Sequence, residues 1–113
     1  MAPEARKLVW DALRSGDFVA EFTAGRSFED YAADPMLRSA VERQFEIVGG
    51  ALAQLGKLDP ALAAGIPDLR RIVGFRHILA HGYAAVDDRV VWGVVEGNLP
   101  SLRACLRALL SDE

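Results

Sequence analysis

Cysteine is nearly missing from this 113-residue chain, with Cys105 as its only example. A lone cysteine excludes an internal disulfide framework and a multi-cysteine zinc module. It fits a reducing compartment. Histidine is almost as scarce, with only His77 and His81. Several catalytic signatures are missing as well. No serine sits in a nucleophile elbow, and Cys105 lies in no reactive-thiol motif. There is no glycine-rich phosphate loop, because Gly49-Gly50 lies inside a helical pattern. Ile78 follows His77 where a zincin needs Glu. No window approaches 18 uncharged apolar residues, so no membrane span is expected. Asp11 and Asp17 come too early for a secretory leader. Nor is there an excess of positive charge. Thirteen Lys and Arg against sixteen Asp and Glu leave a formal charge of −3. That excludes a generally basic nucleic-acid coat protein but leaves room for a local patch. The expectation is a soluble, cytoplasmic protein.

Apolar residues make up 51% and charged residues 26%, a globular balance. The length suits one domain over residues 1–113, with one core. From about Pro3 to Gly25, Leu8, Val9, Ala12, Leu13, Val19 and Ala20 recur at helical spacing. Ser27 with Asp30 resembles a capping box that starts a short helical turn. Asp34-Pro35 opens a long helix to about Lys57. Its stripe is Leu37, Val41, Phe45, Val48, Leu52 and Leu55. Gly49-Gly50 costs that helix stability and leaves room for another helix to approach. Asp59-Pro60 opens a short helix to about Ala64. A further helix runs from about Asp68 to His81, with Gly82 as its stop. Asp87-Asp88 opens the next element. Arg89 to Val95 reads as a strand by β-branched propensity, yet it has no strand to pair with. Leu99, Leu102, Leu106, Leu109 and Leu110 are helical again. The sum is an all-α antiparallel helical bundle of about five to six helices. Trp10 and Trp92 read as core or seam residues, and Cys105 as a packed thiol.

The chemistry gathers between Pro67 and Tyr83. Both histidines lie there with Arg70, Arg71 and Arg76, against only Asp68. Such a cationic spot suits a phosphate. It equally suits a solvated helix end whose cations match the macrodipole. His77 and His81 share a helix face and could ligate zinc, given a third ligand such as Asp68, Asp87 or Asp88. The other chemistry open to these groups is metal-independent RNA cleavage. RNA carries its own nucleophile, the 2′-hydroxyl. A histidine can move its proton while an arginine neutralises the phosphate. Arg76 and His81 fit these roles, but five residues turn an ideal helix by about 140°. Unwinding near Gly82, the reach of arginine, or a site across a homodimer seam would relax that constraint.

The run Arg76-His77-Ile78-Leu79-Ala80-His81-Gly82-Tyr83 resembles the Arg-polar-x-x-x-His-x-Tyr signature of HEPN-domain proteins, in particular their HepT toxin branch. Ile66-Pro67, Phe45 to Gly49, Val91-Trp92 and Asn98 to Leu102 extend the likeness from about Asp34 to Leu110. The resemblance implies a HEPN-like all-α bundle that forms a homodimer. It implies an endoribonuclease toxin of a type VII-like toxin–antitoxin module, acting without a metal or other cofactor. Arg76 and His81 would be catalytic, His77 would assist, and Arg70 and Arg71 would contact RNA phosphates. RNA would be the substrate, with tRNA one candidate. The implied partner is an MntA-like nucleotidyltransferase antitoxin that transfers AMP to Tyr83. The resemblance also turns Arg89 to Val95 into a helix against its propensity. One departure is Gly50, where relatives often carry an acid; Glu46 remains and could pair with an arginine. A reading from another class stays open. The same bundle could be a non-catalytic RNA- or nucleotide-binding module, or the helical partner of a nucleotidyltransferase.

Overall fold

Helix starts follow the capping chemistry of the chain. The computed structural model describes residues 1–82 and 86–111. The described residues form α1 (Pro3–Thr23), α2 (Phe28–Ala33), α3 (Pro35–Leu58), α4 (Pro60–Ala64), α5 (Leu69–His81), α6 (Asp88–Gly97) and α7 (Leu99–Ser111). Ser27 Oγ accepts from the Asp30 backbone N–H at 3.1 Å. The Ser27 N–H donates to Asp30 Oδ2 at 2.9 Å, which closes the capping box of α2. Asp34 Oδ1 accepts from the Leu37 N–H at 3.0 Å, and Asp59 Oδ1 from the Leu62 N–H at 3.1 Å. Asp87 caps α6 through the Arg89 N–H at 2.9 Å. Each cap contributes about 1 kcal/mol. The expected all-α bundle is the fold, and its short helices bring the number to seven among the described residues.

α3 is the central helix. Leu37, Val41, Phe45, Val48, Leu52 and Leu55 are all buried along it. Each such side chain contributes about 1.5–3 kcal/mol. The N-terminal half of α3 packs with Tyr31, Phe75, Leu79, Val91 and Trp92. Its C-terminal half packs with Val9, Ala12, Ile72, Leu102 and Leu106. α1 and α5 both lie against α3, and α7 lies against α1.

Residues 89–95 are helical, because the alternative buries the wrong atoms. Val91, Trp92, Val94 and Val95 are buried together in α6. Positions i, i+1, i+3 and i+4 share one face of a helix, whereas a strand would split them between two faces. Burial overrides β propensity here. Trp92 lies in the core, with its ring 5.4 Å from that of Tyr31. Trp10 does not. It is half exposed on α1, where the Arg14 guanidinium sits 5.3 Å from its ring. Cys105 is partly buried, and burial pushes its thiol pKa up, as for a packed thiol.

α1 and α7 are also tied by charge. Asp17 Oδ1 accepts from Arg103 Nε at 2.8 Å and from Arg107 Nη2 at 2.9 Å. Partial burial pushes the Asp17 carboxyl up, but the two guanidiniums outweigh it and hold it below the usual carboxylate range. A carboxyl lowered on folding stabilises above its unfolded pKa of about 3.9 and loses that effect as pH falls through its folded value. Asp17→Asn is therefore expected to lower Tm at pH 7, with the gap to wild type shrinking as pH falls below the unfolded value. Thermal melts across that range check this; equal Tm values at pH 7 would refute it. No helix among the described residues is long and apolar enough to cross a membrane.

Candidate functional site

α5 supplies every basic residue of the motif. Its inner face is Ile72, Phe75 and Leu79, all buried. Phe75 meets Phe45 of α3 edge to face, with ring centroids 5.4 Å apart. Fixing that face fixes where the others lie. Arg70, Gly74, His77 and His81 fall on the outward stripe at i, i+4, i+7 and i+11. All four are exposed. The His77 and His81 rings stand 4.5 Å apart. The stripe from Arg70 to His81 is about 16 Å long at 1.5 Å per residue.

Arg76 and Arg71 lie on opposite flanks of this stripe. Arg76 passes over α3 at Gly49 and Gly50. Arg71 lines a groove of about 650 Å³ between α5 and α6, together with Gly74, Ile78, Val90, Gly93 and Val94. Ile78 is 52% exposed and Val90 50%, so the groove is apolar and open. Arg70 and Arg71 also border a cavity of about 630 Å³ beside Ile66 and Leu69. The structure thus brings Arg70, His77 and His81 onto one stripe and sets Arg76 apart from it.

The chain does not unwind before His81. α5 is helical through that residue, and the Gly82 N–H closes the helix on the Ile78 carbonyl at 2.7 Å. Arg76 and His81 therefore keep the helical offset of about 140°. Tyr83 lies outside the described residues. Among the described residues the Arg76 side chain makes no hydrogen bond or ion pair. Glu46 pairs with Arg43 at 3.7 Å and not with Arg76. Among the described residues no group of three or more His, Cys, Asp or Glu is placed to hold a metal ion. Asp68, one candidate third ligand, accepts instead from Asn98 Nδ2 at 2.7 Å. That contact ties the start of α5 to the α6–α7 junction. Asp68 takes a left-handed φ of 59° and does not cap α5.

The sequence pattern missed two features near the site. One is the Asp68–Asn98 tie, which joins residues thirty positions apart and leaves no local signal. The other is Glu42. Burial, aided by the Asp88 charge, pushes its carboxyl up. Arg38 of α3 lies 3.9 Å from Asp88, so these charges link α3 to the start of α6.

The chain is similar to proteins of one family along most of its length. A family model described as ribonuclease HepT-like matches residues 12–109. A Caldanaerobacter subterraneus subsp. tengcongensis protein named "Putative RNase" is 33% identical over 101 residues, covering 89% of each chain. "Probable ribonuclease HepT" of Thermococcus cleftensis is 34% identical over 93 residues, covering 82% of this chain and 84% of its own. A "Putative RNase" of Methanocaldococcus jannaschii is 28% identical over 100 residues, covering 88% and 91%. No solved structure matches the chain. With a family model spanning α1 to α7 and relatives matched over most of their length, this chain belongs to the ribonuclease HepT-like family, a branch of the HEPN superfamily.

Proposed function

We propose that this chain is a metal-independent endoribonuclease toxin that acts as a homodimer. The observation that carries this reading is the α5 stripe of Arg70, His77 and His81, flanked by an Arg76 with no carboxylate partner among the described residues. His81 takes the proton of the RNA 2′-hydroxyl. The 2′-oxygen attacks the adjacent phosphorus, and the bond to the 5′-oxygen breaks. A second imidazole, from His77 or from the other copy, returns a proton to that leaving oxygen. Arg76 neutralises the added negative charge on the phosphoryl oxygens. The products are a 2′,3′-cyclic phosphate and a 5′-hydroxyl. Arg70 and Arg71 hold neighbouring phosphates.

One copy holds Arg76 and His81 on different sides of a helix, so the complete site needs a second copy. The exposed face of α5 that runs from Arg76 through Ala80 and His77 to His81 is where the α5 helices of two copies would meet. Cleavage of purified tRNA in EDTA tests the reaction. Cyclic-phosphate ends are expected. No cleavage by folded protein would shift weight to a binding module, which the exposure of Arg76, His77 and His81 also suits.

The resemblance of Arg76 to Tyr83 to the HepT signature supports a regulatory extension. A nucleotidyltransferase antitoxin transfers AMP from ATP to the Tyr83 hydroxyl and releases pyrophosphate. The adenylate adds bulk and negative charge beside the phosphate site. Co-production with such a partner should place one AMP mass on Tyr83, and Tyr83→Phe should stay unmodified and toxic. Modification elsewhere would overturn this assignment.

A further inference from the structure

The α3–α5 crossing is closest where α3 has no side chains. A Cβ on Gly49 would overlap the Cβ of Arg76, stand 2.8 Å from its Cγ and 3.3 Å from the Ile72 carbonyl oxygen. The stem of Arg76 therefore lies on the backbone of α3. A Cβ on Gly50 would stand 3.8 Å from Arg76 Nε, at ordinary contact distance. The guanidinium thus passes directly over residue 50. The acids of α3 on this side stop one turn earlier, at Glu46, and Arg43 occupies that carboxylate.

We infer that Gly49 and Gly50 are positioning residues for Arg76: Gly49 seats its stem, and Gly50 leaves its guanidinium a lane without a counter-carboxylate. A fixed stem removes rotamer freedom that would otherwise be lost when a phosphate binds. A guanidinium with no carboxylate beside it among the described residues keeps its donors for phosphoryl oxygens. Residue 50 then sets how strongly Arg76 engages RNA. This deepens the ribonuclease reading and rests on it for its catalytic consequence.

The test uses Gly50→Glu and the neutral isostere Gly50→Gln in the full chain. The first readout needs no RNA. Carbon-13 NMR titration follows the carboxyl introduced by Gly50→Glu. Its pKa is expected below the ordinary glutamate value of about 4.3, and adding Arg76→Ala should return it to that value. A carboxyl that titrates normally, or that ignores Arg76→Ala, would overturn the placement of Arg76 over residue 50. The second readout is cleavage. Gly50→Glu should lower kcat/KM about 5- to 10-fold, while Gly50→Gln stays within about 2-fold of wild type. Equal losses in both variants would mean bulk rather than charge and would overturn the lane. If wild type cleaves no RNA at all, the ribonuclease reading fails, and the titration alone decides whether Arg76 lies over residue 50.

Discussion

Alanine at His81 should lower RNA cleavage about 10²- to 10⁴-fold, the range expected for losing a positioned acid or base. The helical signal should not change. His81 is exposed at the last turn of α5, and among the described residues its side chain meets the His77 ring and makes no hydrogen bond or ion pair. Arg76→Ala should cost about 10²- to 10³-fold by removing charge stabilisation. It keeps the Cβ that rests against Gly49. The two inactive variants also report where the site is built. If Arg76 of one copy works with His81 of the other, mixing equal amounts gives half heterodimers, each with one intact site. Activity should then return to about a quarter of wild type, provided subunits exchange. A site within one chain would give no recovery after exchange, since each copy lacks one member. Full cleavage by His81→Ala would remove the proposed mechanism.

The second large effect is on stability and has opposite signs at neighbouring positions. Gly49→Ala drives a methyl group into Arg76 and the α5 backbone. Overpacking of this kind costs about 1–3 kcal/mol. Replacing glycine in a helix recovers up to about 1 kcal/mol, so the net change remains destabilising. Gly50→Ala meets only Arg76 Nε at 3.8 Å. It should gain the helical benefit of about 0.5–1 kcal/mol with no clash. Urea or thermal unfolding of both variants measures this. A stabilised Gly49→Ala would mean that α3 and α5 are not in close contact at this crossing. Because α5 carries the basic motif, Gly49→Ala should also lower any activity that depends on where Arg76 stands.

Much of this protein was legible residue by residue. Ser27 with Asp30, Asp34-Pro35, Asp59-Pro60 and Asp87 mark helix starts, because a side-chain oxygen satisfies free N–H groups within three residues. The buried stripe of α3 followed from its period. The basic cluster of α5 was visible as a local excess of Arg and His in an acidic chain. All of these signals are short-range. Where packing decides, the local pattern pointed elsewhere. Residues 89–95 have strand propensity, and only the apolar partners around Val91, Trp92, Val94 and Val95 make them helical. Trp10, apolar by type, is left half exposed, with the Arg14 guanidinium 5.3 Å from its ring.

By itself, then, the amino-acid sequence determined the helical class, most helix starts and the identity of the basic motif. Hydrogen bonds and hydrophobic period act over three to four residues, so adjacent letters encode them. The tertiary structure alone decided the orientation of that motif. Burial of Phe75 and Leu79 turns His77 and His81 outward, and the missing side chain of Gly49 draws Arg76 onto α3. Asp68 reaches Asn98 across thirty positions, and Asp17 reaches Arg103 across eighty-six. Such contacts depend on which helix faces meet, and that is set by the summed burial of the whole bundle rather than by any local stretch.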